Sequence, residues 1–171
     1  MPEVTFLNRE NKEEIEATRT LLLQSYAQYE TILGKTGDYD DYIESIRHSL
    51  SNEEIEQVII VKEQNEVLGS LQVFLNAQKA YQIDNFHVEQ PFIRLLAVSP
   101  TARNKGIAKA LLNTAIDYLQ EKGYKEVDLH TSAYMEAAVR LYERYGFERF
   151  EAYDFHKPNR TVTCYRYQIN R

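Results

Sequence analysis

The stretch that decides the fold is residues 98–108, which read VSPTARNKGIA. It follows the apolar run FIRLLAV at 92–98, and Ser99 and Pro100 end that run as a turn does. After Gly106 the apolar residues return with helical spacing. The sequence therefore predicts a strand at 92–98 that leads through a basic, glycine-containing turn into a long amphipathic helix.

This turn has the features of an anion site. The first turn of a helix has unpaired backbone N–H groups and a partial positive charge, and a glycine lets an anion approach the backbone closely. Arg103 and Lys105 add positive charge. The alternative is that Gly106 serves only helix packing and that both cations are solvated. NAD and P-loop chemistry are not indicated, because Ala108 and Leu111 stand where GxGxxG needs glycine and neither GxxxxGKS nor GxxxxGKT occurs.

The flanking sequence predicts strands alternating with helices. Upstream, the patterns indicate a strand at 4–7, a helix over 15–33 that stops at Gly34, a weaker helix at 39–50, and a hairpin of strands 58–61 and 67–74. Downstream, they indicate that the helix after Gly106 stops at Gly123, followed by a strand at 126–131, a helix ending at Gly146, and strands at 147–153 and 161–169. This order favours an α/β or α+β fold with helices on both faces of the sheet.

Composition limits the class of protein and its partners. The chain has 171 residues, which suits a single domain over 1–171, and 43% hydrophobic residues exclude a disordered chain. A net charge of -6 argues against a nucleic-acid partner. There is no apolar segment of about 20 residues, and the start MPEVT lacks signal-peptide features, so we expect a cytoplasmic protein without a membrane partner.

Cysteine and histidine usage indicates no metal and no thiol nucleophile. The single cysteine, Cys164, lies in an alternating strand pattern and is interpreted as a packing thiol. His48, His87 and His156 are scattered without metal-ligand spacing, so we expect no metal site.

Two spaced motifs resemble those of a known family. Six consecutive residues match its R/Q-x-x-G-x-G/A signature, and LYERYGF at 141–147 matches its LYExxGF element. The six are Arg103, Asn104, Lys105, Gly106, Ile107 and Ala108. On these motifs the chain resembles the GNAT superfamily of acyl-CoA-dependent N-acyltransferases, well over about residues 57–153 and only by element order in the first fifty. The resemblance implies a mixed, mostly antiparallel sheet of six or seven strands with a splayed central parallel pair, and acetyl-CoA as co-substrate.

The resemblance also implies roles for individual residues. Backbone N–H groups of the six signature residues hold the CoA pyrophosphate, and the strand edge at Leu96, Ala97 and Val98 pairs with the pantetheine arm. A backbone N–H near Val98 polarises the thioester carbonyl. Tyr142 corresponds to the tyrosine that protonates the departing CoA thiolate. Its alternative role is a core aromatic, and the family's pantetheine-binding asparagine is replaced by Met135.

The resemblance does not supply the general base. Some GNAT enzymes use a glutamate six residues before Val98, and that position here is Phe92. Glu89 and His130 are candidates, each with a structural alternative, and a water chain is the third possibility.

Acceptor-binding residues are predicted from the residues themselves. Arg94 shares strand parity with Phe92 and Val98, so it is expected to bind a substrate anion or to pair with an acid such as Asp128. Tyr26 and Tyr29 on the first helix are candidates for contact with the substrate or a partner.

Three classes of function stay open on the sequence alone. The first is acetyl transfer to an amine of a small molecule or a protein, without a covalent intermediate. The second is a non-catalytic acyl-CoA-binding module, and the third is a partner-binding domain. The oligomeric state is left open, with a homodimer as one form.

Overall fold

The computed structural model describes residues 2–30, 39–76, 90–132, 135–157 and 160–169. These residues contain four helices and eight strands. The helices are α1 Lys12–Tyr26, α2 Tyr39–Arg47, α3 Ile107–Glu121 and α4 Glu136–Tyr145. The strands are β1 Glu3–Phe6, β2 Gln57–Glu63, β3 Glu66–Phe74, β4 Phe92–Val98, β5 Glu126–Thr131, β6 Glu148–Arg149, β7 Phe155–Lys157 and β8 Arg160–Gln168.

The strands form a mixed sheet in the order β1-β2-β3-β4-β5-β8-β6, with β7 paired to β8. The parallel pair is β4 with β5, in which Phe92 lies opposite Asp128 and Ile93 opposite Leu129. Five other pairs are antiparallel: β1 with β2, β2 with β3, and β8 with each of β5, β6 and β7. The predicted fold class is confirmed, with eight strands in the described residues where six or seven were predicted.

The chain divides into two compact units. The first comprises Met1–Val73 and Leu95–Ala115, and the second comprises Phe74–Arg94 and Ile116–Arg171. Strand β4 and helix α3 each contribute to both units. The single-domain organisation expected from chain length stays a prediction.

In the first unit, helices lie on both faces of the sheet. A Cβ atom added at Gly69 of β3 would come within 2.6 Å of Ile107 Cγ2, so α3 packs directly on this face. Gln72 lies three residues after Gly69 on β3, so its side chain points to the opposite face of the sheet. There its Nε2 donates to Ser49 Oγ at 3.3 Å. The glycine therefore permits a close approach of helix and strand that any larger residue would prevent.

Helix α1 begins with a side-chain cap. Asn11 Oδ1 accepts the backbone N–H of Glu14 at 3.1 Å, and Glu13 and Glu14 place negative charge in the first turn. Leu21 and Leu22 are buried, and the helix ends at Tyr26 in a 3-10 turn, Ala27–Tyr29. The predicted stop at Gly34 lies outside the described residues.

In the second unit, the segment after α4 differs from the prediction. Gly146, with a φ of 123°, ends α4 as expected. The predicted strand at 147–153 is reduced to the two residues of β6, and a 3-10 turn, Glu151–Tyr153, follows. The reason is a side-chain clamp, since Arg149 donates to both carboxylate oxygens of Asp154 at 2.8 and 2.9 Å and closes the turn. Strand β7 then forms an unpredicted hairpin with β8.

None of the helices in the described ranges is both long enough and apolar enough to cross a membrane.

Candidate functional site

The basic turn before α3 has the backbone shape of an anion site. Asn104 and Gly106 both have left-handed backbone, with φ of 63° and 76°. Turns of this kind direct successive N–H groups into one concavity. The carbonyl of Gly106 accepts the first backbone hydrogen bond of α3, from Ala110 N at 3.0 Å. The backbone N–H groups between Gly106 and Ala110 are therefore in the first turn, where a helix supplies no intrahelical acceptor.

The charge and the space around this turn also suit an anion. Arg103, Asn104, Lys105 and Gly106 are exposed, and the first turn of α3 has no acidic residue. A Cβ atom added at Gly106 would meet no described atom within 4 Å. No described residue is therefore packed so closely on Gly106 that packing alone would require glycine there. The space next to the backbone is open to a ligand.

Strand β4 has an irregular backbone in its middle. Leu95 has a φ of 52°, a left-handed conformation that is strained for a residue with a side chain, and such strain concentrates at functional sites. The parallel register with β5 covers Phe92 and Ile93, just before this residue. One of the two strand edges is bonded to β3, because Ser99 N donates to Leu68 O at 2.8 Å.

Hydroxyl groups of α1 contact the other edge of β4. Tyr26 donates to the carbonyl of Leu96 at 3.1 Å, and Ser25 donates to the carbonyl of Val98 at 3.3 Å. Leu96 and Val98 are alternate residues, so their carbonyls share an edge that differs from the edge of Ser99. The structure therefore places Tyr26 directly on the segment predicted to pair with pantetheine.

Tyr26 is the centre of a tyrosine cluster, which we define as Tyr26, Tyr29 and Tyr42. The Tyr26 ring lies 5.9 Å from the ring of Tyr29 and 6.0 Å from that of Tyr42, in tilted and edge-to-face geometry. Tyr26 and Tyr29, both predicted contact residues, thus lie together. Sequence reasoning missed Tyr42, which lies in the segment of the weak helical pattern at 39–50 but is not one of its apolar positions.

Tyr142 is buried on α4, with 8% of its surface exposed. Its ring packs edge-to-face against Phe147 at 5.8 Å, and its carbonyl accepts hydrogen bonds from Gly146 N and Phe147 N at the helix end. The LYExxGF element is therefore a helix end in which the tyrosine and the phenylalanine pack together. This packing is compatible with both roles considered for Tyr142, a core aromatic and an acid with its hydroxyl at a site.

His130 is held in a neutral form. Its ring stacks on Phe92 at 5.0 Å with an interplanar angle of 5°, and Nε2 donates to the carbonyl of Tyr153 at 2.8 Å. Burial, with a smaller contribution from the charge of Arg94, lowers the pKa of His130 to about 4 against the opposing effects of the Tyr153 carbonyl and Asp154. A histidine of this kind anchors the Glu151–Tyr153 turn and is a weak base at neutral pH.

The partner suggested for Arg94 is already bound to another arginine. Both oxygens of the buried Asp128 carboxylate accept from Arg166, at 2.7 Å to Nε and 3.0 Å to Nη2. The guanidinium of Arg166 also lies 3.6 Å from the centre of the Phe150 ring. Strand alternation does not place Arg94 on the same face as Leu96 and Val98. The left-handed backbone of Leu95 interrupts the alternation of side chains between Arg94 and Leu96.

The remaining predictions concern the cysteine, the second candidate base and a metal site. Cys164 is a buried, unoxidised thiol whose pKa is raised by burial, which suits a packing role. Glu89, a candidate base, lies outside the described residues. Within the described part of the chain, no three acidic, histidine or cysteine side chains cluster as metal ligands do.

Sequence reasoning missed Ser25, Leu95 and Arg166. Ser25 precedes Tyr26 and carries no motif, and Leu95 looks like an ordinary apolar strand residue. Arg166 is recognisable only once the antiparallel register puts it opposite Asp128. A register prediction for 126–131 and 161–169 is the signal that would have identified this pair.

Comparison with known proteins identifies the family. The model of the acetyltransferase (GNAT) family matches residues 19–147, which is more than half of the chain, and the chain belongs to this family.

Curated relatives match over short segments. The chain is 42% identical over 60 residues to mycothiol acetyltransferase of Renibacterium salmoninarum, which covers 35% of this chain and 18% of that protein. It is 43% identical over 58 residues to N-acetyltransferase 8B of Rattus norvegicus, which covers 34% of this chain and 26% of that protein. The matches thus span about a fifth to a quarter of these relatives.

The fold is shared with solved structures over the whole chain. One is the PaiA N-acetyltransferase of Thermoplasma acidophilum in complex with coenzyme A, with a TM-score of 0.65 at 17% identity, covering 98% of this chain and 99% of that one. At this identity the similarity establishes the fold.

Proposed function

We propose that this chain transfers an acetyl group from acetyl-CoA to a primary amine. The observation that carries the proposal is the turn at 103–108, where left-handed Asn104 and Gly106 precede α3 in a basic, open segment. Such a turn suits the pyrophosphate of CoA, because backbone N–H groups and the helix dipole both favour an anion there. Membership of the GNAT family supports CoA as the ligand.

The reaction that we propose is direct attack. The lone pair of the amine nitrogen forms a C–N bond to the thioester carbonyl carbon, the C–S bond breaks, and its electron pair leaves on sulfur. Tyr142 gives its phenolic proton to that thiolate and recovers a proton from solvent. A backbone N–H of the segment Leu96, Ala97 and Val98 stabilises the negative charge on the carbonyl oxygen. Burial of Cys164 supports a mechanism without a covalent intermediate.

Water is the proposed acceptor of the amine proton. Phe92 occupies the position of the family's glutamate and is fully buried against His130. His130 itself, with a pKa of about 4, is a poor match for a base that works at neutral pH. Of the three candidates for the base that the sequence left open, Glu89, His130 and a water chain, we therefore favour the water chain.

The acceptor is an amine of a small molecule or of a protein. Tyr26, Tyr29 and Arg94 are the residues proposed to contact it, and Arg94 favours an acceptor that carries an anion. A single domain over 1–171 and a cytoplasmic location, both predicted from the sequence, belong to this proposal.

A second function is a non-catalytic acyl-CoA-binding module. The observation in its favour is Phe92, since a buried aromatic at the glutamate position removes the usual base without affecting the turn at 103–108. Such a module would bind CoA and release no thiol.

Incubation with acetyl-CoA and a panel of amines tests the proposal. The panel contains primary amines with and without a carboxylate or phosphate, and peptides with a free amino terminus or a lysine. Thiol release that depends on one class of amine is expected. Calorimetric binding of CoA without thiol release from any amine would favour the binding module, and absence of both would contradict the two functions.

A further inference from the structure

We infer that a groove between α4 and β8 binds a free amino acid through its ammonium and carboxylate groups. The groove has a volume of about 380 Å³, which falls in the range of small-molecule sites. Three residues of α4 and two of β8 line it: Glu136, Val139, Arg140, Thr163 and Tyr165. All five belong to the second compact unit, and no step of the proposed acetyl transfer uses them.

The charged residues of the groove are on a different side of α4 from Tyr142. Glu136 and Arg140 are four residues apart, so they share one face of the helix. Around the helix axis, Tyr142 is about 120° from Glu136 and about 160° from Arg140. The groove is therefore distinct from the side of α4 that carries the proposed acid.

Two opposite charges line the groove without being paired. Glu136 and Arg140 are exposed and stand one helical turn apart, an arrangement in which ion pairs often form. Neither forms an ion pair with the other or with a further residue among those that the structure describes. A ligand with a single charge would be attracted by one of these groups and repelled by the other. A free amino acid carries an ammonium group and a carboxylate at neutral pH, so it suits both.

The other lining residues favour an aliphatic side chain on that amino acid. Val139 is half-buried, and Tyr165 has 7% of its surface exposed. The phenol of Tyr165 makes no hydrogen bond to a described residue, so it is able to donate to a carboxylate. Thr163 is less available, because its hydroxyl already donates to the carbonyl of Thr131 at 3.1 Å. An amino acid such as leucine thus matches the groove in charge, size and polarity.

Calorimetry with L-leucine in the absence of acetyl-CoA tests the inference. Two probes of the same shape each keep one charge: isopentylamine lacks the carboxylate, and 4-methylpentanoate lacks the ammonium group. We expect a Kd of about 1 mM or lower for leucine. The two probes should bind at least about 10-fold more weakly, because each loses one charge-assisted hydrogen bond and meets one repulsive charge.

Two variants assign the binding to the groove. In Glu136→Gln, leucine should bind about 10-fold more weakly, whereas the affinity for 4-methylpentanoate should stay the same or rise. In Arg140→Gln, leucine should be weakened to a similar extent, whereas the affinity for isopentylamine should not fall. The matched controls are Glu121→Gln and Arg144→Gln, which remove exposed charges outside the groove and should keep the Kd for leucine within about twofold.

Three results would overturn the inference. The first is that leucine does not bind, or binds no better than the two probes. The second is an equal affinity for leucine in the wild type and in both groove variants. The third is a wild-type dimer, detected by sedimentation, that dissociates in Arg140→Gln, because the groove is then an interface between two copies of the chain. None of these results bears on acetyl transfer, which the thiol-release assay tests separately.

Discussion

At the residue scale, the central proposal is that Tyr142 is the acid. The residue is buried and packs on Phe147, so the hydroxyl is held in one place by the ring. A phenol is protonated at neutral pH because its ordinary pKa is about 10, and it is able to donate a proton to the thiolate without prior activation. The proposed role of Tyr142 depends on its hydroxyl alone, which a conservative substitution removes.

Tyr142→Phe is expected to lower kcat by about 100-fold, the lower end of the usual range for a positioned acid, because a thiolate leaves tolerably without a proton. The Kd for CoA should change little, since the ring is retained. Steady-state kinetics under conditions where chemistry limits the rate measure this change. Tyr145→Phe, on the same helix, is the matched control and should keep kcat within about twofold; a kcat within twofold in Tyr142→Phe would return Tyr142 to a core role.

His130 predicts a pH dependence of stability. Burial lowers its pKa to about 4, whereas an unfolded chain takes up the proton near the ordinary value of 6.5. The free energy of unfolding should therefore fall as the pH drops from about 6.5 to 4, by about 3 kcal/mol from this residue. His130→Gln keeps an amide donor for the Tyr153 carbonyl and should remove that part of the slope.

Urea unfolding at several pH values measures the slope. His156→Gln, which replaces an exposed histidine in β7, is the control and should retain the wild-type slope. An unchanged slope in His130→Gln would show that the histidine is not buried in its neutral form.

At the element scale, the junction of β4 and α3 is the proposed site of cofactor binding. The strand supplies an irregular edge at Leu95, and the helix supplies its amino end after Gly106. The two elements are joined by an exposed turn with left-handed residues, a conformation that can direct successive backbone N–H groups to one side. The proposed cofactor site therefore depends on backbone geometry that a few residues specify, and the φ of 76° at Gly106 is one that favours glycine.

Gly106→Glu is expected to weaken CoA binding by about 100-fold or more, because a carboxylate then stands next to the phosphates. Gly123→Glu is the matched control: Gly123 also has left-handed backbone, with a φ of 88°, and no described atom lies within 4 Å of an added Cβ. Both variants should lose similar stability from strain, about 1 kcal/mol. Calorimetry with CoA measures the difference, and equal affinities in the two folded variants would contradict the placement of the pyrophosphate.

The elements differ in how far the sequence determines them. Helix α3 and the hairpin of β2 and β3 are predictable because hydrophobic periodicity and end signals such as Gly123 agree. The segment after Gly146 is not, since the clamp of Arg149 on Asp154 and the contact of His130 with Tyr153 join residues that no local pattern relates. The same holds for the candidate site: the motifs predict roles for 103–108 and Tyr142, whereas no local pattern predicts the contact of Tyr26 with Leu96, which joins residues 70 positions apart.

At the scale of the whole molecule, the residues with proposed roles are distributed over both compact units of the chain. The first unit holds the turn proposed to bind the pyrophosphate, the end of β4 and the tyrosine cluster. The second holds Tyr142, His130 and the pair of Asp128 with Arg166. Acetyl transfer needs both the proposed acid and a bound cofactor, so neither the turn nor the tyrosine alone distinguishes an enzyme from a binding module.

Transfer of an isotopically labelled acetyl group tests the central claim most directly. The wild-type protein is incubated with acetyl-CoA labelled in the acetyl group and with the amine that gives the fastest thiol release, and the label in the amine is measured by mass spectrometry. We predict one labelled amide formed for each thiol released, and a rate lowered about 100-fold in Tyr142→Phe. Thiol release without label in the amine, or CoA binding without either, would contradict acetyl transfer to an amine.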